Sequence, residues 1–319
     1  MTEVGWPLPH SWLLTLTLPG VLPAVAGLAG LLVGSFLNTV IHRLPRTLER
    51  DWRAQCAELA GDAAPSNEAA PSSAPRYDLV APRSHCPACQ TPIRALHLIP
   101  VLGWLWLRGR CAACGATISP RYPLIELASG LAFVAVALRF GPTVECAAAL
   151  VVTGFLIALA VIDFDTHYLP DQLTLPLLWL GLAASLAGDV RNAVVGAIVG
   201  YLVLWSVYQA FKLATGKEGM GYGDFKLLAA LGAWLGPAAL LPIVLASSVA
   251  GAVIGLVLIF FFGRAREQPL AFGPYLAAAG WLVMMAGDAL PGGLLLGTPI
   301  DPWSPDPPRS LDSPWSPDP

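Results

Sequence analysis

Long apolar runs occupy most of the chain from residue 20 to residue 290, separated by one long segment at 42–121 and otherwise by short ones. Most of them have the roughly 18–22 residues that a helix needs to cross a hydrocarbon core about 30 Å thick. We predict that they are helices, because no water is available in the membrane to satisfy free backbone groups. Eight runs are assigned, at about 20–41, 122–140, 144–162, 172–188, 192–212, 225–238, 240–262 and 270–290. The sixth is shortened by Gly236-Pro237.

Composition supports this pattern. Of the 319 residues, 55% are hydrophobic and only 12% are charged, and the mean hydropathy is +0.63. A soluble domain carries about twice that charged share. The predicted fold class is therefore an all-α polytopic integral membrane protein with about eight transmembrane helices. No Lys or Arg precedes the first run, so we do not expect it to be a plain cleavable signal peptide.

The basic residues lie mainly on one side of the predicted membrane. Fifteen of the 18 Lys and Arg residues fall in or beside the segments 42–121, 163–171, 213–224 and 263–269, which eight alternating spans place on the same side. Cytoplasmic loops carry the excess of basic residues. These segments are therefore predicted to be cytoplasmic, with both termini on the opposite side of the membrane.

The spans suggest four regions. Residues 1–41 form an N-terminal segment with the first transmembrane helix, and 42–121 form a cytoplasmic loop domain between the first two helices. Residues 122–290 form the transmembrane core, and 291–319 a disordered Pro-rich tail that repeats PWSPDP. Within the loop domain, 54–82 is rich in Ala, Pro and Ser and is predicted to be a poorly ordered connection.

Four cysteines form two Cys-x-x-Cys pairs in the loop domain, with 21 residues between the pairs. They are Cys86, Cys89, Cys111 and Cys114. Two such knuckles predict four thiolates around one structural Zn²⁺ ion. Two disulfides or a single redox pair would be alternatives, but a reducing cytoplasmic loop disfavours structural disulfides.

Aspartates lie at the ends of two predicted spans. The third span ends in IDFDTHYLPDQ (162–172), and GMGYGD (219–224) precedes the sixth. Ionisable residues at the rim of a membrane are costly and indicate function. Solvation of a helix end would also explain Asp163 and Asp165, and Asp171 is predicted to cap the N-terminus of the fourth span.

Asp163 and Asp224 are the predicted catalytic pair. Both lie on the cytoplasmic side, and Asp224 follows a glycine-rich loop. Alone, Asp224 would also be explained by the favourable position of an acid at a helix N-terminus. As a pair, two close carboxylates share one proton, so that one activates a water and the other polarises a peptide carbonyl. This arrangement is that of an aspartic protease.

Several motifs in this order resemble those of the bacterial type IV prepilin peptidases. The resemblance covers about 30–290 and includes both cysteine pairs. Its other marks are GSFLNTVIHRLP (34–45), IPVLGWLWLRGRC (99–111), ISPRYPLIE (118–126), IDFDTHYLPDQ (162–172) and GMGYGDFKLLAALGAW (219–234). One departure is His97-Leu98, which stands where many members carry Glu-Asn.

The resemblance implies a multi-pass enzyme of the bacterial inner membrane, with its large loop and active site in the cytoplasm. Such an enzyme cleaves the basic leader of type IV prepilins or pseudopilins after a glycine. It also N-methylates the new N-terminal residue with S-adenosylmethionine. The family's catalytic aspartates fall on Asp163 and Asp224, and its zinc ligands on the four cysteines. The residues that bind S-adenosylmethionine cannot be identified from the sequence. The expected partners are these substrates and the lipid bilayer, with no nucleic acid.

Other classes of protein fit parts of the pattern. A proton-coupled transporter would explain bundle-facing aspartates but not the cysteine loop. A membrane N-methyltransferase without protease activity would explain the loop but not the paired aspartates. A zinc-containing scaffold protein would need neither activity. Incubation with a prepilin separates these possibilities from a peptidase.

Overall fold

The computed structural model describes residues 20–59, 81–217, 220–263 and 270–287, together with 18, 78 and 79. In these ranges the regular structure is helical, apart from two isolated β-bridges. The predicted tail, 291–319, lies outside the described residues. We number the α-helices α1 Val21–Leu59, α2 Leu102–Trp106, α3 Arg121–Phe140, α4 Val144–Thr166, α5 Asp171–Ala184, α6 Val190–Thr215, α7 Tyr222–Leu235, α8 Leu240–Phe262 and α9 Gly273–Ala286.

A described helix lies at each of the eight predicted positions, which confirms the all-α membrane fold class. The helices α1, α3, α4, α6 and α8 are long and apolar enough to cross a membrane, and α5 and α9 are shorter apolar helices. The remaining helix, α7, ends at Leu235, where Gly236 adopts φ +78° ahead of Pro237. Proline cannot continue the hydrogen-bonding pattern, and glycine accepts the positive φ.

The first helix is longer than the apolar run that predicts it. It continues past residue 41 and ends at Leu59, so residues 54–59 complete a helix and do not belong to the poorly ordered connection that the composition predicts from 54 onward. The sequence RAQCAEL contains good helix formers, and Glu49 pairs with Arg53 one turn later. These local preferences explain why the helix continues beyond the apolar run.

The short helix α7 lies in the middle of the bundle. Each of its residues from Leu227 through Leu235 is buried, with α6, α5 and α9 packed around it. Small residues allow the closest approach: a Cβ built on Gly232 would lie 2.1 Å from the carbonyl oxygen of Gly196 on α6. Backbones meet in this way when glycines face each other in a membrane bundle. The packing fixes the position of Asp224 at the start of α7.

Glycines also bring α1 against α3. A Cβ on Gly30 would lie 2.7 Å from the Ser129 carbonyl oxygen, and one on Gly34 would lie 2.7 Å from Cα of Glu126. The two helices therefore run side by side to the point where α1 leaves the apolar region. The cysteine-containing loop, 81–120, connects these two helices and lies at that end of the bundle.

Candidate active site and metal centre

Asp163 lies in the last turns of α4 and is buried, with 5% of its surface exposed. Its Oδ2 accepts a hydrogen bond from the backbone N–H of Gly273, at 2.9 Å, where α9 begins. The helix then ends because His167 adopts a left-handed conformation and donates its N–H to the Asp163 carbonyl oxygen. Asp163 thus lies between the C-terminal end of α4 and the positive N-terminal end of α9.

Asp224 lies in the first turn of α7 and is also buried, with 7% of its surface exposed. The prediction places Gly223 and Asp224 in the loop before this helix. In the structure Gly221 is the N-cap, so both residues belong to the helix. Gly219 lies outside the described residues. A Cβ on Gly223 would lie 2.7 Å from Cβ of Leu169, which explains why this turn requires glycine.

The structure brings Asp163 and Asp224 together. The two carboxyl groups lie within the range of a direct electrostatic interaction. Leu169 packs between the two sites: it contacts Gly223, the neighbour of Asp224, and Gly273, the hydrogen-bond partner of Asp163. Two carboxylates, separated by about sixty positions in sequence, therefore share one buried corner at the same end of the bundle. Such a pair can hold one proton and one water between them.

The other two aspartates of the third-span motif have different partners. Asp165 is partly exposed and forms an ion pair with Arg121 at the start of α3. The prediction that Asp171 caps α5 is wrong: Pro170 occupies the N-cap and no side chain caps this helix. Asp171 instead accepts two hydrogen bonds from Lys226 Nζ, at 2.6 and 2.8 Å. This ion pair ties α5 to α7 two residues beyond Asp224.

Sequence reasoning missed the contribution of Gly273. Its N–H bonds to Asp163, and a Cβ at this position would lie 2.7 Å from Asp163 Oδ2. The only sequence signal is Phe272-Gly273-Pro274 at the start of a span, where proline suits the first turn of a helix. That signal predicts a helix start, but it does not show which side chain lies opposite it.

The four cysteines form a compact cluster. Their Sγ atoms all lie within 4.8 Å of one another, and none is in a disulfide. The two knuckles share one pattern of backbone hydrogen bonds. In the first, the N–H of Cys86 donates to the carbonyl oxygen of Thr91, and the N–H of Gln90 donates to that of Cys86. In the second, Cys111 donates to Ala116 and Gly115 donates to Cys111 in the same way. Gln90 and Gly115 both have positive φ at the equivalent turn position. The repeat aims all four sulfurs at one point, as a metal site requires.

Comparisons with known proteins agree with these two sites. The model of the bacterial peptidase A24 N-terminal domain matches residues 28–140, and that of the type IV leader peptidase family matches residues 150–256. The chain belongs to the type IV leader peptidase family. No solved structure matches it.

Several relatives in this family are similar over most of their length. A prepilin leader peptidase/N-methyltransferase of Aeromonas salmonicida is 52% identical over 276 residues, which cover 86% of this chain and 94% of the relative. A protein of the same name from Burkholderia pseudomallei is 52% identical, and the match covers 87% of this chain and 89% of the length of that relative. Another, from Pseudomonas aeruginosa, is 49% identical, and the match covers 82% of this chain and 90% of the length of that relative.

Each matched part of this leader peptidase family member contains one of the two sites. Residues 28–140 include the cysteine cluster, and 150–256 include both buried aspartates. Gly273 lies beyond the second part, although it contacts Asp163.

The thiols of the cluster are suited to binding a metal ion. Hydrogen bonding with Thr91 lowers the pKa of Cys89 to about 6, and the backbone of Cys114 lowers the pKa of Cys111. The Ala116 backbone favours the Cys114 thiolate, but the neighbouring Cys89, Cys111 and Cys86 sulfurs raise the pKa of Cys114 to about 12. The thiolate is the metal-binding form, and a divalent cation would offset the repulsion among four of them. The residues therefore fit a four-cysteine metal centre.

Proposed function

We propose that this chain is a membrane aspartic endopeptidase that removes the basic leader of type IV prepilins or pseudopilins. It cuts after a glycine and then N-methylates the new N-terminal residue with S-adenosylmethionine. The pair of buried aspartates at one end of the bundle is the observation that carries this proposal. The names of its relatives support the same two activities.

In the proposed reaction, Asp163 is the general base. Because a backbone N–H can only donate, the Gly273 amide keeps Asp163 Oδ2 an acceptor and orients the other oxygen toward the shared water. Asp163 takes a proton from that water, and the oxygen of the water adds to the scissile carbonyl carbon. Asp224 gives its proton to the carbonyl oxygen. The resulting intermediate collapses by breaking the C–N bond, and the leaving amine takes the proton that Asp163 received from the water. Asp224 regains a proton from a hydroxyl group of the intermediate, which leaves a carboxyl group on the released leader.

We place this reaction at the cytoplasmic face of the bacterial inner membrane. The distribution of basic residues among the loops supports that side by the positive-inside rule. The substrate's apolar helix remains in the bilayer, and its basic leader extends into the cytoplasm. The scissile bond then reaches the rim of the bundle, where Asp163 and Asp224 meet.

The proposal is tested by mass spectrometry of a prepilin incubated with membranes that contain the protein, with and without S-adenosylmethionine. We expect loss of the leader in both cases, and one added methyl group only when the donor is present. Methylation without leader loss would indicate a methyltransferase alone. An unchanged substrate mass would contradict both activities.

We further propose that the cysteine cluster holds a structural Zn²⁺ ion. Four thiolates in a closed set suit tetrahedral zinc and leave no position for a substrate. The metal would stabilise the loop 81–120, which has little core of its own.

Replacing Cys111 with Ser is expected to lower the zinc content from about one ion per chain to a small fraction, because three thiolates bind zinc far more weakly than four. Elemental analysis of the purified protein measures this loss. The matched control is Cys56→Ser, since Cys56 is an exposed free cysteine on α1 outside the cluster. Equal zinc content in both variants would contradict the assignment.

A further inference from the structure

We propose that Glu126 binds the sulfonium cation of S-adenosylmethionine, in a cleft between α1, α3 and the cysteine-containing loop. This assignment rests on the proposed N-methyltransferase activity and adds a site for the methyl donor to it. The cleft is separate from the aspartate pair, because neither Asp163 nor Asp224 lines it.

The cleft is large enough for the donor. Its volume is about 1410 Å³, and small-molecule sites have volumes of roughly 300–1,000 Å³. Aromatic side chains that can stack on a nucleobase, Trp104 and Tyr122, line it. Arg46 and Arg94 also line it, so they can pair with a carboxylate at the rim.

Glu126 is the one acidic residue among the described residues that line this cleft. It is 8% exposed, and its Oε2 accepts the backbone N–H of Val101 at 2.7 Å. In the part of the chain that the structure describes, no Lys, Arg or His forms an ion pair with it. A buried carboxylate without a cation is costly, and a cationic ligand would supply the missing charge.

The backbone beside Glu126 is strained in a way typical of binding sites. Val101 adopts φ 60° and ψ −52°, which a β-branched residue rarely accepts. The turn is tight, because a Cβ on Gly103 would lie 2.3 Å from the carbonyl oxygen of His97. Strain of this kind persists where the surroundings hold it in place, and the Glu126 hydrogen bond is part of that restraint.

The cleft is also close to the proposed cleavage site. Tyr122 lines it, and the adjacent Arg121 pairs with Asp165, two residues from Asp163. The new N-terminal amine is produced beside Asp163. In methyl transfer the lone pair of that amine forms the N–CH₃ bond, and the breaking C–S bond returns its electrons to sulfur. The amine then loses a proton to water. Glu126 binds the sulfonium before this step and takes no part in it.

The test compares the binding of S-adenosylmethionine and of S-adenosylhomocysteine, which lacks the sulfonium charge, by titration calorimetry of the purified protein. E126Q keeps an acceptor for the Val101 N–H but removes the charge. We expect its Kd for S-adenosylmethionine to rise at least ~10-fold, with little change for S-adenosylhomocysteine. The matched control is E145Q on α4, at a glutamate that does not line the cleft, and we expect both of its affinities to remain unchanged.

Unchanged affinity of E126Q for S-adenosylmethionine, or equal weakening for both compounds, would overturn the assignment. So would a higher KM for the prepilin with an unchanged donor Kd, since the cation bound there would then be the leader peptide. If the wild-type protein binds no donor, the proposed methyltransferase activity itself fails. Photoaffinity labelling of the wild-type protein with an azido derivative of the donor needs no variant. A label within 32–50 or 84–126, the two segments that line the cleft, supports the site, and a label elsewhere overturns it.

Discussion

Asp163→Asn and Asp224→Asn are each expected to reduce leader cleavage by about 10³-fold or more, while the protein still inserts into the membrane. An amide has nearly the shape of a carboxylic acid, so the packing is kept. The amide that replaces Asp163 cannot take a proton from the water, and the amide that replaces Asp224 cannot supply one to the carbonyl oxygen. The measurement is the rate of leader loss from a prepilin in detergent or in membranes.

Asp165→Asn is the matched control, because Asp165 lies in the same motif but pairs with Arg121 at a partly exposed position. We expect it to retain most of the cleavage activity. Methylation of a mature pilin that already lacks its leader separates the two activities, and both catalytic variants should still carry it out. Cleavage at wild-type rates by either variant of the aspartate pair would refute the assigned catalytic residues.

Much of this site could be predicted because its signals are local or chemically costly. The spacing of Cys86, Cys89, Cys111 and Cys114 specifies two knuckles, and the structure brings the four sulfurs together. Asp163 and Asp224 are carboxylates at the ends of apolar runs, where an ionisable side chain is energetically costly and therefore indicates function. The basic loops indicate the same side of the membrane for both, so their meeting could be proposed from the sequence.

What the sequence could not predict depends on contacts between distant segments. Asp171 has the features of a helix cap, but Lys226 on another helix competes for its carboxylate. The cleft beside Glu126 exists only once α1, α3 and the loop are packed, so no single motif encodes it. The end of α1 differs from its prediction for another reason. Its polar extension follows helix propensity, whereas the prediction follows hydrophobicity.

The contact between Gly273 and Asp163 leads to the second prediction with a large expected effect. Gly273→Ala is expected to lower kcat for cleavage by about 10²-fold with little change in KM, because its Cβ would lie 2.7 Å from Asp163 Oδ2. The carboxylate would have to leave its hydrogen bond with the backbone N–H and move out of line with the shared water. Gly273 is thus a positioning residue, and steady-state kinetics on a prepilin peptide measures the split between kcat and KM.

Gly255→Ala on α8 is the matched control, since the nearest atom to its Cβ would be 3.8 Å away, an ordinary contact. This variant should cleave at close to the wild-type rate. The two variants should also melt at similar temperatures, because the Asp163 carboxylate can move without unpacking α9. A loss of activity in Gly273→Ala that is accompanied by a large drop in melting temperature and in methylation of a mature pilin would indicate general unfolding. A confined loss of kcat would instead show that the amide at the start of α9 orients the catalytic base, which makes this helix a part of the active site.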